Sequence, residues 1–414
     1  MGKGNSHRLR AVPLDRLFHR LSSGPDTRPR IGTVLHFEGE PPAPQDVAAH
    51  LASRLPLLPA LTCYLPPGGA VWRTTRVDVS EHLAEIELPP GTAALHDALQ
   101  RLVRAPLPVS APPWRLWLLH GHAAGQYALL YRVHHALQDG SGMLHTLETL
   151  FAEDAEVRSR TCFAGFEEPV RATMGDRGRM AAATATMMRK EQFWGRDRDR
   201  FSGDRVFRWA EVPSAWLTEA ARSNGVTRND VYLAALAHAV TRWAAEQGTE
   251  TASGIRMDVP VSIRRPGEVG MPGNRTTVLP LRVATAGLSP AQCLRRTARV
   301  TAPLKSPVLR EALRRNDAML PAWLVTALHR VAQDPTRAGV SASHVALRGG
   351  LAFHGAPVTR VLPVACALDG TPLSVALMSC RDSAGACFVT DAAVPGLDQL
   401  HLRWRASLRS LASG

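Results

Sequence analysis

The order of apolar and polar residues along the chain predicts two units of strands and helices joined by a charge-rich segment. Residues 114–120 and 127–133 are mostly apolar and are separated by a turn that contains two glycines, which predicts a hairpin of central strands. After Gly140 apolar residues recur at intervals of three and four, which predicts a helix. We assign these elements to a first unit, residues 1–151.

The pattern changes over residues 152–205, which are rich in charge and have little strand character. We interpret them as a linker with one helix around 181–194, followed by a second unit at 206–414. The second unit's predicted elements are a helix that starts after a capping box at Thr227, strands at 254–262 and 276–284, further strands between 345 and 391, and a closing helix at 397–411. The prediction is an α/β (α+β) fold of two lobes, each a mixed β-sheet with flanking helices.

Composition is that of a folded globular protein, with 45% apolar and 21% charged residues in a chain of 414. The amino terminus is polar and no stretch of 18 apolar residues occurs, which predicts a cytoplasmic protein and leaves peripheral membrane contact open. Six cysteines without paired spacing favour reduced thiols. The net charge of +13 favours anionic ligands such as coenzyme A phosphates, an acidic carrier protein or an anionic membrane. Nucleic acid is not expected, because no recognition motif is present.

Two adjacent histidines, His134 and His135, end the second strand of the predicted hairpin and precede Asp139 and Gly140. Neighbouring side chains on a strand point to opposite faces, so we expect His135 to face a cleft and His134 to be structural. A histidine titrates near neutral pH and is a suitable general base. The buried Asp139 needs a cationic partner and should hold the loop, while Gly140 allows a tight turn.

Other chemistries receive little support from the sequence. The pair of histidines resembles a broken metal site, but no third ligand has suitable spacing, so no metal is predicted. The stretch from Gly140 to Gly142 lacks the spacing of a hydrolase nucleophile elbow. No glycine-rich nucleotide-binding loop opens a helix.

The segment His134-His135-Ala-Leu-Gln-Asp139-Gly140 resembles the HHxxxDG signature of coenzyme-A-dependent acyltransferases and peptide-synthetase condensation domains. Within that superfamily the chain resembles the bacterial wax ester synthase/diacylglycerol acyltransferase branch. The landmarks of that branch are Pro13-Leu14-Asp15, Asn229-Asp230, Pro260-Val-Ser-Ile-Arg264 and Gly273-Asn274-Arg275. Two landmarks depart from its pattern: Pro113-Trp114 lacks a leucine, and Ser343-His344-Val345 stands where an Asn-Val-Pro run is usual.

The resemblance implies two chloramphenicol-acetyltransferase-like lobes that form a V with a central tunnel. It also implies transfer of an acyl group from an acyl-coenzyme A or carrier-protein thioester to the hydroxyl or amine of a small hydrophobic acceptor. The product would be a lipid ester or a tailored natural product. No cofactor is expected, since acyl-coenzyme A is a co-substrate. The alternatives are a free-standing condensation-like domain and a non-catalytic acyl-binding protein.

Residue roles follow from the same resemblance. His135 would be the general base and Asp139 would complete the catalytic motif, with His134 and Gly140 in support. Arg264 would pair with Asp139, although an ordinary surface arginine is the alternative. Asn229 and Asn274 would contact substrate. Asn229 could instead cap its helix, and Asn274 could instead orient a turn between the lobes.

Overall fold

A computed structural model describes residues 9–21, 29–108, 112–154, 173–191, 194, 199–249, 254–319, 321–332 and 334–413. Part of the predicted linker, including residues 155–172, therefore lies outside the described residues. The helix predicted around 181–194 is found earlier, at Met174–Met187. The boundaries 1–151, 152–205 and 206–414 stay a prediction, although residues 356–364 pair with a strand of the first unit.

Two six-stranded mixed sheets form the framework, one in each lobe. The strands of the first sheet are β1 (Arg30–Glu38), β4 (Leu83–Glu87), β5 (Trp114–His120), β6 (Gln126–His134), β11 (Ala352–Phe353) and β12 (Ala356–Val364). Their order in the sheet is β11-β12-β1-β6-β5-β4. Strands β5 and β6 form the predicted hairpin. A small separate sheet pairs β2 (Cys63–Tyr64) with β3 (Arg73–Thr74).

The strands of the second sheet are β7 (Arg205–Pro213), β8 (Ile255–Ser262), β9 (Thr276–Val283), β10 (Val340–Ala346), β13 (Leu373–Cys380) and β14 (Ser383–Asp391). Their order in the sheet is β7-β14-β13-β10-β8-β9. Strand β10 runs parallel to both β8 and β13, whereas the other pairs are antiparallel. The predicted mixed-sheet fold of two lobes is confirmed.

Helices of both lobes pack against the strands. The helices of the first lobe are α1 (Pro13–Arg20), α2 (Pro44–Arg54), α3 (Val79–His82), α4 (Thr92–Leu102) and α5 (Gly140–Phe151), and α6 (Met174–Met187) follows them. The later helices are α7 (Ser214–Asn224), α8 (Arg228–Glu246), α9 (Pro290–Thr301), α10 (Pro307–Met319), α11 (Ala322–Ala332) and α12 (Leu400–Ala412). In the part of the chain that the structure describes, no helix is both long enough and apolar enough to cross a membrane.

Strand β12 is the exception to the predicted boundaries, because it lies late in the chain but pairs with β1 in the first sheet. A buried cluster that contains Val34, Leu130, Leu362 and Val389 joins the face of the first sheet to strands of the second. The Trp209 indole of β7 also donates to the Pro363 carbonyl of β12, at 2.8 Å. The lobes therefore share both a strand exchange and apolar packing.

Gly385 of β14 is required where the two sheets meet, since a Cβ at this position would come within 2.0 Å of the Val361 carbonyl oxygen. We predict that Gly385→Ala lowers the free energy of unfolding by about 1–3 kcal/mol through overpacking. Gly178→Ala is the matched control, because that helical glycine has open space around it. Urea unfolding of both variants tests the prediction. Equal stability of Gly385→Ala and the parent would contradict it.

Candidate functional site

A cavity of about 290 Å³ lies between the two sheets, and strands of both lobes form its walls. The first lobe contributes residues of α1, β1, β12 and the start of α5, and the second contributes residues of β8, β9, β10 and β13. Its lining is mostly apolar, with isolated polar groups. The polar lining residues are His135, Ser141, Asp258, Ser262, Asn274, Thr276, Ser341, Ser343, His344, Thr371 and Ser374.

His135 stands on the wall of this cavity and is half-buried. Strand β6 ends at His134, so His135 occupies the turn that follows, not the strand itself. Its ring stacks on Phe18 of α1, with ring centroids 5.3 Å apart. The turn thus separates the two histidines and delivers the second one to the cavity.

The hydrogen bonds of His135 define which ring nitrogen is available. Its Nδ1 lies 3.0 Å from the Gln138 carbonyl oxygen, so Nδ1 carries the proton and donates it to that oxygen. Nε2 then keeps its lone pair. Burial, only partly opposed by the Gln138 carbonyl and Asp139, lowers the pKa of His135 below the ordinary value of 6.5. The ring is therefore neutral near pH 7, as a general base must be.

Asn274 also contacts His135, with its Nδ2 3.2 Å from Nδ1, and its Oδ1 has no hydrogen-bond partner among the described residues. Two donors cannot share this contact. Turning the amide by 180° would let Oδ1 accept from Nδ1–H and would free Nδ2 to donate elsewhere. In that orientation Asn274 and Gln138 hold the same tautomer of His135.

His134 is buried and its Nδ1 accepts a hydrogen bond from the Ala136 backbone N–H, at 3.1 Å. Its ring is directed to the His19 ring of α1, 6.4 Å away. His134 does not line the cavity. Its contacts are those of a residue that shapes the turn.

Asp139 forms the ion pair that the sequence predicted. Its two carboxylate oxygens accept from Arg264 Nε, at 2.8 and 3.0 Å, and both side chains are almost fully buried. The backbone N–H groups of Gly142 and Arg275 donate to the same carboxylate. Burial by itself would raise the pKa of Asp139, but Arg264 and these two donors outweigh it and lower the pKa.

Arg264 uses its remaining donors to hold the loop that carries Asn274. Its Nη1 donates to the Glu268 and Met271 carbonyls and its Nη2 to the Gly273 carbonyl. Asp139 is also the N-cap of α5. One buried ion pair therefore connects the motif of the first lobe to a loop of the second.

Asp15 fixes that loop from the other side. It caps α1 by accepting from the Val12 N–H, and in addition it accepts from the Asn274 N–H at 2.7 Å and pairs with Arg275. Gly273 has a φ of +109°, and a Cβ there would meet Asp15 and Arg275. This second role of Asp15 was missed, because no local signal relates residues so far apart in sequence.

Asn229 is not brought to the cavity. It lies near the start of α8, where Thr227 and Asp230 form the predicted capping box, and it is not among the described lining residues. Asp230 is fully buried and pairs with Lys305. The substrate contact of Asn229 stays a prediction that the geometry does not support.

Three residues of the site were not predicted from the sequence. Phe18 stacks on the His135 ring, the Gln138 carbonyl accepts from His135, and the Asp258 carboxylate lines the cavity. Among the described residues no group of three or more His, Cys, Asp or Glu could hold a metal ion. Cys366 lines the cavity, but burial raises the pKa of its thiol to about 12. Such a thiol is not a nucleophile near pH 7.

Comparison with known proteins confirms the resemblance drawn from the motifs. The family model described as the wax ester synthase/diacylglycerol acyltransferase catalytic domain matches residues 13–191. A Mycobacterium tuberculosis protein that carries the name diacylglycerol O-acyltransferase is 27% identical in a match of 237 residues that covers 49% of this chain and 50% of the relative. A Mycobacterium bovis protein of the same name is 26% identical over 73% of this chain and 69% of its own length. The chain thus spans about half the length of the first of these relatives.

Solved structures share the fold over the whole chain. The wax ester synthase/diacylglycerol acyltransferase from Marinobacter aquaeolei has a TM-score of 0.66 at 19% identity, with 97% of this chain and 98% of that one covered. The first condensation domain of the CDA synthetase has a TM-score of 0.65 at 18% identity, with 99% and 96% covered. The starter condensation domain of rhizomide synthetase has a TM-score of 0.65 at 14% identity, with 99% and 95% covered. At these identities the likeness concerns the fold.

Proposed function

We propose that this chain, which resembles the wax ester synthase/diacylglycerol acyltransferase family, is an acyltransferase. It would move an acyl group from a thioester to the hydroxyl or amine of a small hydrophobic acceptor. The observation that carries the proposal is the position of the His135 ring on the wall of a cavity between the lobes, with Nδ1 occupied by the Gln138 carbonyl.

In the proposed reaction His135 Nε2 takes the proton of the acceptor O–H or N–H as that atom attacks the thioester carbonyl. The new ester or amide bond forms as the carbon–sulfur bond breaks, and the proton passes to the departing thiolate. Proton transfer by a positioned base contributes roughly 10²–10⁴-fold to such a rate. The cavity would align the two substrates, which adds a proximity contribution. No covalent acyl-enzyme is required.

Acyl-coenzyme A is the donor we propose. The starter condensation domain of rhizomide synthetase, which shares the fold, is described in complex with C8-CoA. The net charge of +13 would attract the phosphates of coenzyme A. Peripheral membrane contact, which would give access to lipid acceptors, is also a proposal.

The direct test is incubation of the protein with mixed acyl-coenzyme A thioesters and a panel of alcohols and amines, followed by mass spectrometry of the products. We expect a new ester or amide together with release of free coenzyme A. Hydrolysis without any acylated acceptor, or no consumption of thioester, would contradict the proposal.

The pH dependence of the reaction is a second test. Because the pKa of His135 is below 6.5, its base form persists to lower pH than that of a free histidine. We predict that kcat/KM is constant near pH 7 and falls only as the pH drops below that ordinary value. A pH profile with its acid midpoint above 6.5 would be inconsistent with this histidine as the base.

A carrier-protein thioester is the alternative donor, favoured by the whole-chain likeness to condensation domains. The basic chain suits an acidic carrier as well as it suits coenzyme A. Comparing rates with the same acyl group on coenzyme A and on a carrier protein separates the two. We expect the coenzyme A thioester to be used; activity with the carrier-bound acyl group alone would favour the alternative.

A further inference from the structure

A row of polar side chains crosses one wall of the cavity at a distance from His135. The strand registers align Asp258 of β8 with Ser341 of β10, and Ser341 with Ser374 of β13. All three line the cavity. Since residues aligned across neighbouring strands share a face, they form a continuous polar row, which we name the Asp258 row.

The distance of this row from the histidine follows from the geometry of β8. Ser262, at the end of β8, marks the level of the catalytic motif because its Oγ lies 3.4 Å from Ser141 Oγ. Asp258 lies four residues earlier on the same strand, which corresponds to about 13 Å at the usual rise of a strand. Asp258 and Ser262 point to the same face of the sheet, because they are separated by an even number of residues.

The Asp258 carboxylate has hydrogen-bonding capacity to spare. Oδ2 accepts from the Gly339 N–H at 3.0 Å and from Arg256 Nη2 at 3.5 Å, while the buried Oδ1 lies 3.2 Å from Arg256 Nε without a well-directed hydrogen bond. A carboxylate can accept about four hydrogen bonds. The side chain exposes 17% of its surface, and the residue lines the cavity.

The positive charge beside Asp258 is shared with other groups. The Arg256 guanidinium donates to the carbonyls of Thr186, Arg189 and Arg337 and lies 3.6 Å from Glu191. Burial raises the pKa of Asp258, and Arg256 offsets this only in part. A donor group brought by a ligand would therefore improve the surroundings of this carboxylate.

We propose that the Asp258 row is a specificity site that binds a hydroxyl or amine at the end of a substrate remote from the reacting group. The preferred ligand is an aliphatic chain with a hydrogen-bond donor at each end: one end meets His135 and the other meets Asp258, with Ser341 beside it. This inference rests on the proposed function for the identity of the cavity as the substrate site. It narrows the acceptor to bifunctional molecules such as diols and amino alcohols.

The test compares three probes of equal length: decanol, decanediol and aminodecanol. Dissociation constants are measured by calorimetry without any thioester. We expect the parent protein to bind the diol and the amino alcohol about tenfold more tightly than decanol, as one hydrogen bond to a charged group would give. Tighter binding of the amine than of the diol would support an ionised Asp258 as the recognising group. Equal affinity for all three probes would overturn the proposal.

Asp258→Asn keeps an oxygen for the Gly339 N–H but removes the charge, and we expect it to abolish the preference while affinity for decanol is retained. Asp382→Asn is the matched control, because it makes the same change at an exposed turn of the same sheet. Ser341→Ala should reduce the preference about threefold. If Asp258→Asn does not fold, this variant alone tests whether the Asp258 row binds the remote donor. A preference that survives in every folded variant of the row would refute its role.

The transfer assay separates this inference from the proposed function. The protein could prefer the diol and the amino alcohol in an Asp258-dependent way and still show no acyl transfer. That result would support the Asp258 row as a binding site and would refute the proposed acyltransferase function. Acyl transfer by a protein that binds the three probes equally would support the acyltransferase function and refute the Asp258 row as a specificity site.

Discussion

Replacement of His135 by alanine is expected to lower kcat/KM for acyl transfer by roughly 10²–10⁴-fold, the usual contribution of a positioned general base. The acceptor would then have to lose its proton to water, while thioester binding is retained. The fold should persist, because the side chain lies on a cavity wall and its contacts are a hydrogen bond to the Gln138 carbonyl, one to Asn274 and a stack on Phe18. Steady-state kinetics and circular dichroism measure both consequences.

His96→Ala is the matched control for this variant. His96 lies in the same lobe, on the exposed surface of α4, and its side chain is half exposed. The variant should have the activity of the parent. A folded His135→Ala protein with the full rate would rule out the histidine as the base and would turn attention to the non-catalytic acyl-binding alternative.

Loss of either partner of the Asp139–Arg264 pair is expected to be the largest single effect on stability. Removal of one partner leaves a buried charge uncompensated, which costs about 3–5 kcal/mol of unfolding free energy. The double variant Asp139→Ala/Arg264→Ala should be clearly more stable than the sum of the single effects predicts, because no orphan charge remains. Urea unfolding of the four proteins gives the coupling energy directly.

The Glu219–Arg222 pair is the matched control for this cycle, since 51% and 74% of its side chains are exposed. Water screens that pair, so its coupling should be too small to measure. Additive effects at Asp139 and Arg264 would contradict the pairing. The pKa of Asp139 is below its ordinary value of 3.8, so the stabilisation is present above that value and is lost as the pH falls through the folded-state pKa.

Much of the local structure could be predicted from the sequence. The β5–β6 hairpin, the capping box at Thr227 and the helix after Gly140 all depend on neighbouring residues, and all are present. The linker helix was placed too late in the chain, at 181–194 instead of Met174–Met187. Apolar periodicity is weak there, so the pattern could not fix its boundaries.

The candidate site was predicted in part. The motif indicated a cleft-facing His135, and the family resemblance supplied Arg264 as the partner of Asp139. It also supplied Asn274 as a substrate contact; Asn274 lies on the cavity wall beside His135, and the substrate contact itself stays a prediction. His135 lines the cavity and His134 does not, but strand alternation explains this only in part, since His135 follows the strand. Asn229 lies away from the described cavity lining, and its substrate contact stays a prediction, because a helix start looks the same in sequence whether or not it faces a cavity.

The sequence by itself determined the β5–β6 hairpin, the helix after Gly140, the capping box at Thr227 and the motif, because each of these depends on residues close together in the chain. Only the tertiary structure decided that β12 pairs with β1, that Asp15 and Arg264 hold one loop from two sides, and that Asp258 lines the same cavity as His135. These contacts join residues up to several hundred positions apart. Side-chain packing and buried charge pairing select them, and neither has a signature in local sequence.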